Sequence, residues 1–185
     1  FIDMAWELGL IPIVNAPMGM GKTTLACAII ADEIGKNQNV RTQILCAAED
    51  TAIARGRMIG SIILSRDFKK VYPQIQRAKG KPWNDHKINV VKTVIDEEIE
   101  LEAKEAGLEP GVIDATLSAY GIDSKALGTR VDRGLFDDIP NEDNAINSPQ
   151  EGDKISSKLD SSWISRRESP VGMTNQDYDI SKDPY

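Results

Sequence analysis

The chain has 185 residues, 41% of them hydrophobic and 28% charged, with a formal net charge of −7. That length and balance suit one soluble globular domain with a core of its own, and no apolar run approaches the length of a membrane span. An overall acidic chain also argues against nucleic-acid binding by the whole surface, although residues 1–93 carry 13 Lys and Arg against 8 Asp and Glu while residues 94–185 carry 9 against 21, so a local basic patch stays open.

Residues 1–14 lack the basic start and small-residue cleavage site of a signal peptide. The chain begins at Phe1 only fifteen residues before its most informative motif, which reads as a fragment cut from a longer protein. Leu10 to Val14 is a short apolar run suited to a buried parallel strand, with Pro12 absorbed at an edge or a bulge. Ala16 to Thr24, A-P-M-G-M-G-K-T-T, follows. A strand, a glycine-rich turn, a lysine, a hydroxyl and a helix in that order form a P-loop, here with Ala16 where the strict pattern has glycine. Gly19 and Gly21 have no Cβ, so the backbone can curl and aim N–H groups at a phosphate. The helix N-terminus adds partial positive charge at the same point. Lys22 would reach the β- and γ-phosphates and the Thr23 hydroxyl would ligate Mg²⁺. The nucleotide-binding candidates are therefore Ala16, Pro17, Met18, Gly19, Met20, Gly21, Lys22, Thr23 and Thr24. The bland alternative is a glycine-rich turn before a helix.

The helix after the loop, Thr24 to Ile34, is expected to bury Leu25, Ala28, Ile29 and Ile34 and to end at Gly35. Arg41 to Ala48 reads as a second strand. Asp50 and Thr51 are expected to cap a helix carrying Ile53, Met58, Ile59, Ile62 and Ile63. Cys27 and Cys46, the two cysteines, read as small core residues of a reducing compartment. Arg66 to Trp83 then holds six basic residues, one acid and three aromatics: Phe68, Tyr72 and Trp83. It suits a nucleic-acid contact, but the favoured reading is a solvated connection whose aromatics anchor it to the core.

His86 reads as a surface residue before a strand over Lys87 to Lys92. Ile95, Ile99, Ala103 and Ala106 lie on one face of an acidic helix stopped by Gly107. Its carboxylates are most simply a solvated face. Ala115 to Ile122 is another short strand. The second chemical motif is Gly134 to Asp138, G-L-F-D-D. A P-loop ATPase needs a carboxylate at the end of a neighbouring strand to hold the Mg²⁺ shell, and many carry a second acid to orient or deprotonate the attacking water. Asp137 fits the first role and Asp138 the second, although only Leu135 and Phe136 are strongly apolar and Arg133 intrudes. Ser148-Pro149-Gln150-Glu151 is a capping-box start, with Ile155, Leu159 and Trp163 following at fourfold spacing. After Glu168 the chain is polar, giving a domain over 1–168 and a tail over 169–185 whose end, Asp177 to Tyr185, reads as disordered.

Four of these segments together resemble the ATPase domain of bacteriophage terminase large subunits, the motors that package DNA into procapsids. They are Val14 to Ala26, Gln43 to Ala52 (Q-I-L-C-A-A-E-D-T-A), Leu117 to Arg130 with its L-S-A-Y-G-I-D and L-G-T-R, and Gly134 to Pro149 (G-L-F-D-D-I-P-N-E-D-N-A-I-N-S-P). The resemblance implies an α/β fold with a RecA-like, doubly wound, mostly parallel sheet flanked by helices. It also implies ATP and Mg²⁺ as cofactors, hydrolysis coupled to movement of double-stranded DNA, and a ring of copies in the full-length protein. Portal protein and the small terminase subunit would be its partners, in the host cytoplasm. By position, Lys22 and Asp138 become the catalytic residues, and Thr23 and Asp137 the metal residues. Three departures stand out. Met18 occupies a place where such terminases often carry arginine. Asp138 stands where glutamate is common. The coupling strand after the acidic motif has only V-G-M-T-N-Q, Val171 to Gln176, as a candidate, with Thr174 its threonine. The family's C-terminal nuclease domain has no room in this chain. Two rival readings stay open: a helicase or RepA-like replication ATPase, since A-P-M-G-M-G-K-T also looks like helicase motif I and A-E-D follows strand two in RepA-like proteins, and a degenerate module that binds nucleotide without turnover.

Overall fold

A computed structural model describes residues 13–14, 17, 19–93, 101, 104–105, 107, 115–124, 131–139, 153 and 157. The elements in chain order are α1 (Lys22–Lys36), β1 (Thr42–Cys46), α2 (Glu49–Leu64), α3 (Arg66–Val71), β2 (Lys87–Ile88), β3 (Leu117–Gly121) and β4 (Arg133–Phe136). The strands form one sheet in the order β2-β3-β1-β4. β1 runs parallel to both β3 and β4, and β2 is antiparallel to β3, so this is an α/β fold with a mixed four-stranded sheet.

β1 is central, and all five of its residues are buried. A strand covered on both faces must be apolar throughout or satisfy its polar groups internally. Ile44, Leu45 and Cys46 do the first. Thr42 does the second, donating its Oγ1 hydrogen to the Thr116 carbonyl at 2.7 Å. Ile44 and Cys46 join a large core with Cys27, Ile30, Ile34, Ile59, Ile63, Leu117 and Ala119, the face covered by α1 and α2. Leu45, pointing the other way, packs with Ile122, Ile139 and Tyr120.

α1 faces the sheet through Cys27, Ile30, Ala31, Ile34 and Gly35, not through the set expected from the sequence. Ile34 is buried as expected, but Leu25 is 60% exposed and Ala28 is also exposed. The inward stripe passes through the small side chains of Cys27 and Ala31, and the helix packs chiefly against α2. Gly35 does not end the helix; the cap is Asn37, whose N–H bonds to the Glu33 carbonyl at 2.9 Å. Glycine is needed at 35 because the Tyr72 ring lies where a Cβ would project.

α2 starts one residue before the expected caps: Ala48 is the N-cap, and Asp50 and Thr51 lie inside the helix. Glu49 and Asp50 in the first turn still complement the helix dipole. The helix buries Ala52, Gly56 and Gly60 at fourfold spacing, with Ile59 and Ile63. A Cβ on Gly56 would sit 3.3 Å from the Ala119 Cβ, and one on Gly60 would sit 3.0 Å from the Ile88 side chain. The glycine stripe is thus what lets α2 press onto the sheet. Met58 and Ile62 pack at its margin.

The basic stretch after α2 divides by side-chain type. Phe68 is in the core, and Tyr72 and Trp83 pack against it, while Arg66, Lys69, Lys70, Arg77 and Lys79 are exposed. The aromatics act as anchors. β2 is shorter than expected because after Ile88 the chain leaves β3: Val90 bridges to Arg77, and buried Asn89 donates its Nδ2 hydrogen to the Pro82 carbonyl at 2.8 Å. Gly107 has φ 67° and closes a turn onto the Lys104 carbonyl, as expected of a helix stop.

The expected first strand is not borne out where it is described. Ile13 and Val14 belong to no strand and are 86% and 56% exposed; the preceding Pro12 has no N–H to offer a ladder. Leu10 to Pro12, the acids from Asp96 to Glu102, the segment from Ser148 to Trp163 apart from its positions 153 and 157, Thr174 and the tail lie outside the described residues. Among the described residues no helix is long and apolar enough to cross a membrane.

Candidate functional site

The C-terminal ends of β1 and β4 and the N-terminus of α1 meet at one edge of the molecule. This is the end of an open α/β sheet at which ligands bind. Gly19 and Gly21 both have positive φ, 79° and 72°, and Gly21 is the N-cap of α1. The backbone therefore turns sharply just before the helix, at the two positions where glycine was expected to permit it. Lys22 is the first residue of α1 and Thr23 the second.

Asp137 arrives at the same place from β4. That strand is short, and its residues alternate between partly buried and exposed, so apolar burial holds it only weakly; Leu135 is the residue that packs against the core. Its register is set at both ends by polar contacts. At the start, the Asp132 carboxylate accepts hydrogen bonds from the Arg41 backbone N–H at 2.8 Å, Nε at 3.0 Å and Nη2 at 2.7 Å. At the finish, the Asp137 N–H donates to the Leu45 carbonyl at 3.0 Å. Arg133, the residue that weakened the strand pattern, lies 3.7 Å from the Glu33 carboxylate on α1.

With that register, the Thr23 hydroxyl lies 3.1 Å from Asp137 Oδ2 and 3.3 Å from Oδ1, across a separation of 114 residues. The two residues assigned to a metal are thus brought together. A hydroxyl and one carboxylate, completed by waters and phosphate oxygens, match the way Mg²⁺ is usually held. Among the described residues no group of three or more His, Cys, Asp and Glu is gathered for a metal. Lys22 is partly buried and forms no hydrogen bond or ion pair with the described residues. Met20 is 71% exposed, and Pro17 and Thr24 are exposed; Ala16 and Met18 lie outside the described residues.

Arg55 of α2 is the site residue that the motifs missed. Its Nε donates to Asp137 Oδ2 at 2.9 Å, and its Nη2 lies 3.5 Å from Asp138 Oδ2. Burial works against the guanidinium charge, but the Asp137 hydrogen bond and charge outweigh it and hold the group above its already high ordinary value. A signal for it existed: Arg55 falls three residues after Ala52 and four before Ile59, both buried, so a cation stands at helical spacing beside a core face. Asp138 is the one non-glycine residue with positive φ among the described residues, at 52°, a conformation that Asp tolerates better than most side chains. Its side chain is 64% exposed, so it meets water directly. A cleft of about 580 Å³ lies alongside, lined by Ala47, Ala48, Asp50, Thr51, Ala54, Arg55 and Asp138. It does not extend to Lys22 or Thr23.

Glu49, from the A-E-D segment, turns elsewhere. It accepts a hydrogen bond from Ser124 and lies 3.4 Å from His86 Nδ1. Gly121 makes that corner possible, since a Cβ there would sit 2.8 Å from the Glu49 backbone nitrogen. No protein-family model matches the chain, and no curated protein matches it.

Proposed function

We propose that this chain is the Mg²⁺-dependent ATPase module of a bacteriophage terminase large subunit, built on a P-loop NTPase fold of the RecA-like kind. The observation that carries the reading is the hydrogen bond between Thr23 and Asp137, which joins the hydroxyl after the P-loop lysine to the first acid of G-L-F-D-D. The engagement of Glu49 by Ser124 and His86 weighs against a RepA-like site built on A-E-D.

In this reading the α1 N-terminus and Lys22 hold the phosphates by charge and position, and Thr23 and Asp137 would hold the metal. The metal would supply charge neutralisation at the β- and γ-phosphates. Asp138, solvent-exposed beside that pair, orients a water for in-line attack on the γ-phosphorus and accepts its proton. The bond to the β-phosphate oxygen breaks, leaving ADP and inorganic phosphate. Release of phosphate would move DNA past a ring of copies at the portal, in the host cytoplasm, with the small subunit delivering the DNA.

The contact from Arg55 to Asp138 favours a second reading, nucleotide binding without turnover, because it engages the acid that must receive the proton. Phosphate release from Mg·ATP by the wild-type chain separates the two. For the site itself, Lys22→Ala and Asp137→Ala should each weaken Mg·ATP binding; wild-type affinity in both variants would reject the assignment.

A further inference from the structure

We propose that Arg55 is the resident counter-ion of the Asp137–Asp138 pair, and that a divalent cation must displace it to reach Asp137. This rests on the metal-site reading above and adds the residue that sets how tightly metal is taken. The guanidinium spans both carboxylates, with Nε on Asp137 Oδ2 at 2.9 Å and Nη2 3.5 Å from Asp138 Oδ2. Asp137 Oδ2 is also the oxygen nearer the Thr23 hydroxyl, at 3.1 Å. Arg55 therefore occupies the carboxylate oxygen that faces the second metal donor. Among the described residues no other cation pairs with either carboxylate.

Two features turn this contact into a competition. A guanidinium does not lose its proton in a protein, so it gives up the carboxylate only by moving. The cleft beside Asp138 is lined in part by Arg55 itself and gives the side chain room to move into. Two cations cannot share one carboxylate oxygen at full strength, so metal binding and Arg55 release are linked, each weakening the other by the same factor.

The test is titration of Mn²⁺, read by loss of the free-ion EPR signal, into the whole chain with and without ADP. Arg55→Gln should bind Mn²⁺ about tenfold more tightly than wild type, within the usual range of coupling between two sites. Arg55→Lys should fall between them, because one ammonium cannot span both carboxylates. Asp137→Asn should bind more weakly. If Arg55→Gln does not fold, Arg55→Lys decides. Unchanged or weaker Mn²⁺ binding in the Arg55 variants, with Asp137→Asn weakened, overturns the inference and leaves the site reading standing. Mn²⁺ binding that is undetectable throughout, or indifferent to Asp137→Asn, overturns both.

Discussion

Asp132→Ala is expected to release β4 and, with it, the site. The Asp132 carboxylate takes three hydrogen bonds from one residue, the Arg41 backbone N–H, Nε and Nη2, and the backbone returns the contact through the Asp132 N–H to the Arg41 carbonyl at 2.9 Å. The side chains are 13% and 27% exposed, between a surface pair worth about 0–1 kcal/mol and a buried one whose breakage costs about 3–5 kcal/mol. A loss of about 2–3 kcal/mol is expected, since the bidentate geometry is favourable and Arg41 is left largely buried. β4 has little apolar burial to replace it, so the loss should be local first: amide exchange at Leu135 and Asp137 should speed up more than at β1. Urea unfolding gives the stability change and hydrogen exchange the location. Arg57→Ala, which breaks the exposed pair with Asp85, is the control and should leave stability unchanged. A loss under about 0.5 kcal/mol in Asp132→Ala, the range of ordinary surface changes, would refute the argument that this pair sets the register of β4.

Gly121→Ala should destabilise by roughly 1–3 kcal/mol, because the new Cβ would press on backbone at Glu49, which cannot swing away as a side chain could; an unchanged melting temperature would contradict this. Burial pushes the Cys27 thiol up to about 11 and the Cys46 thiol up to about 12, so at pH 8 only about one in a thousand Cys27 groups is thiolate. Ellman's reagent should therefore react with neither until the chain is unfolded, and rapid native labelling would show the helix–sheet layer to be open. Burial raises the Asp32 carboxyl, but hydrogen bonds from Lys36 and Tyr72 outweigh it and hold the group below its usual range. A depressed carboxylate stabilises the fold above its unfolded pKa and loses that contribution as pH falls through the native value. Tyr72→Phe should thus cost under about 1 kcal/mol at pH 7, solvent screening included, and the difference from wild type should shrink as the solution is taken below pH 4; a difference that persists there would locate the effect in packing.

The placement of the motif residues was more legible than the packing: Thr23 and Asp137, singled out from separate motifs, lie within hydrogen-bond distance. Gly19, Gly21, Lys22 and Thr23 stand in an order that only a tight turn onto a helix satisfies. Asp137 stands at a strand end, although β4 is too short and too polar to announce itself by pattern; its position depends on the Arg41–Asp132 pair, 91 residues apart, which no local reading detects. The α1 face was misjudged in part, since Leu25 and Ala28 are exposed. On α2 the expected Ile59 and Ile63 are buried, with Met58 and Ile62 packed at the margin; what was missed is the small stripe Ala52, Gly56 and Gly60, where smallness lets the helix press onto the sheet. Arg55 was passed over because it sits in no motif. Its role comes from the sheet order, which sets α2 over β3 and β1 and leaves the Arg55 side chain to reach Asp137 just beyond the end of β4.

A double-mutant cycle between Thr23 and Asp137 tests the central claim most directly, read as nucleotide affinity with and without Mg²⁺. Thr23→Ala and Asp137→Asn should each weaken Mg·ATP binding, and the double variant should lose about 1 kcal/mol or more less than the two single losses combined, as expected of residues serving one site. With Mg²⁺ removed the coupling should collapse. Strictly additive losses, or a coupling indifferent to Mg²⁺, would mean that the hydroxyl and the carboxylate touch only to hold α1 against β4.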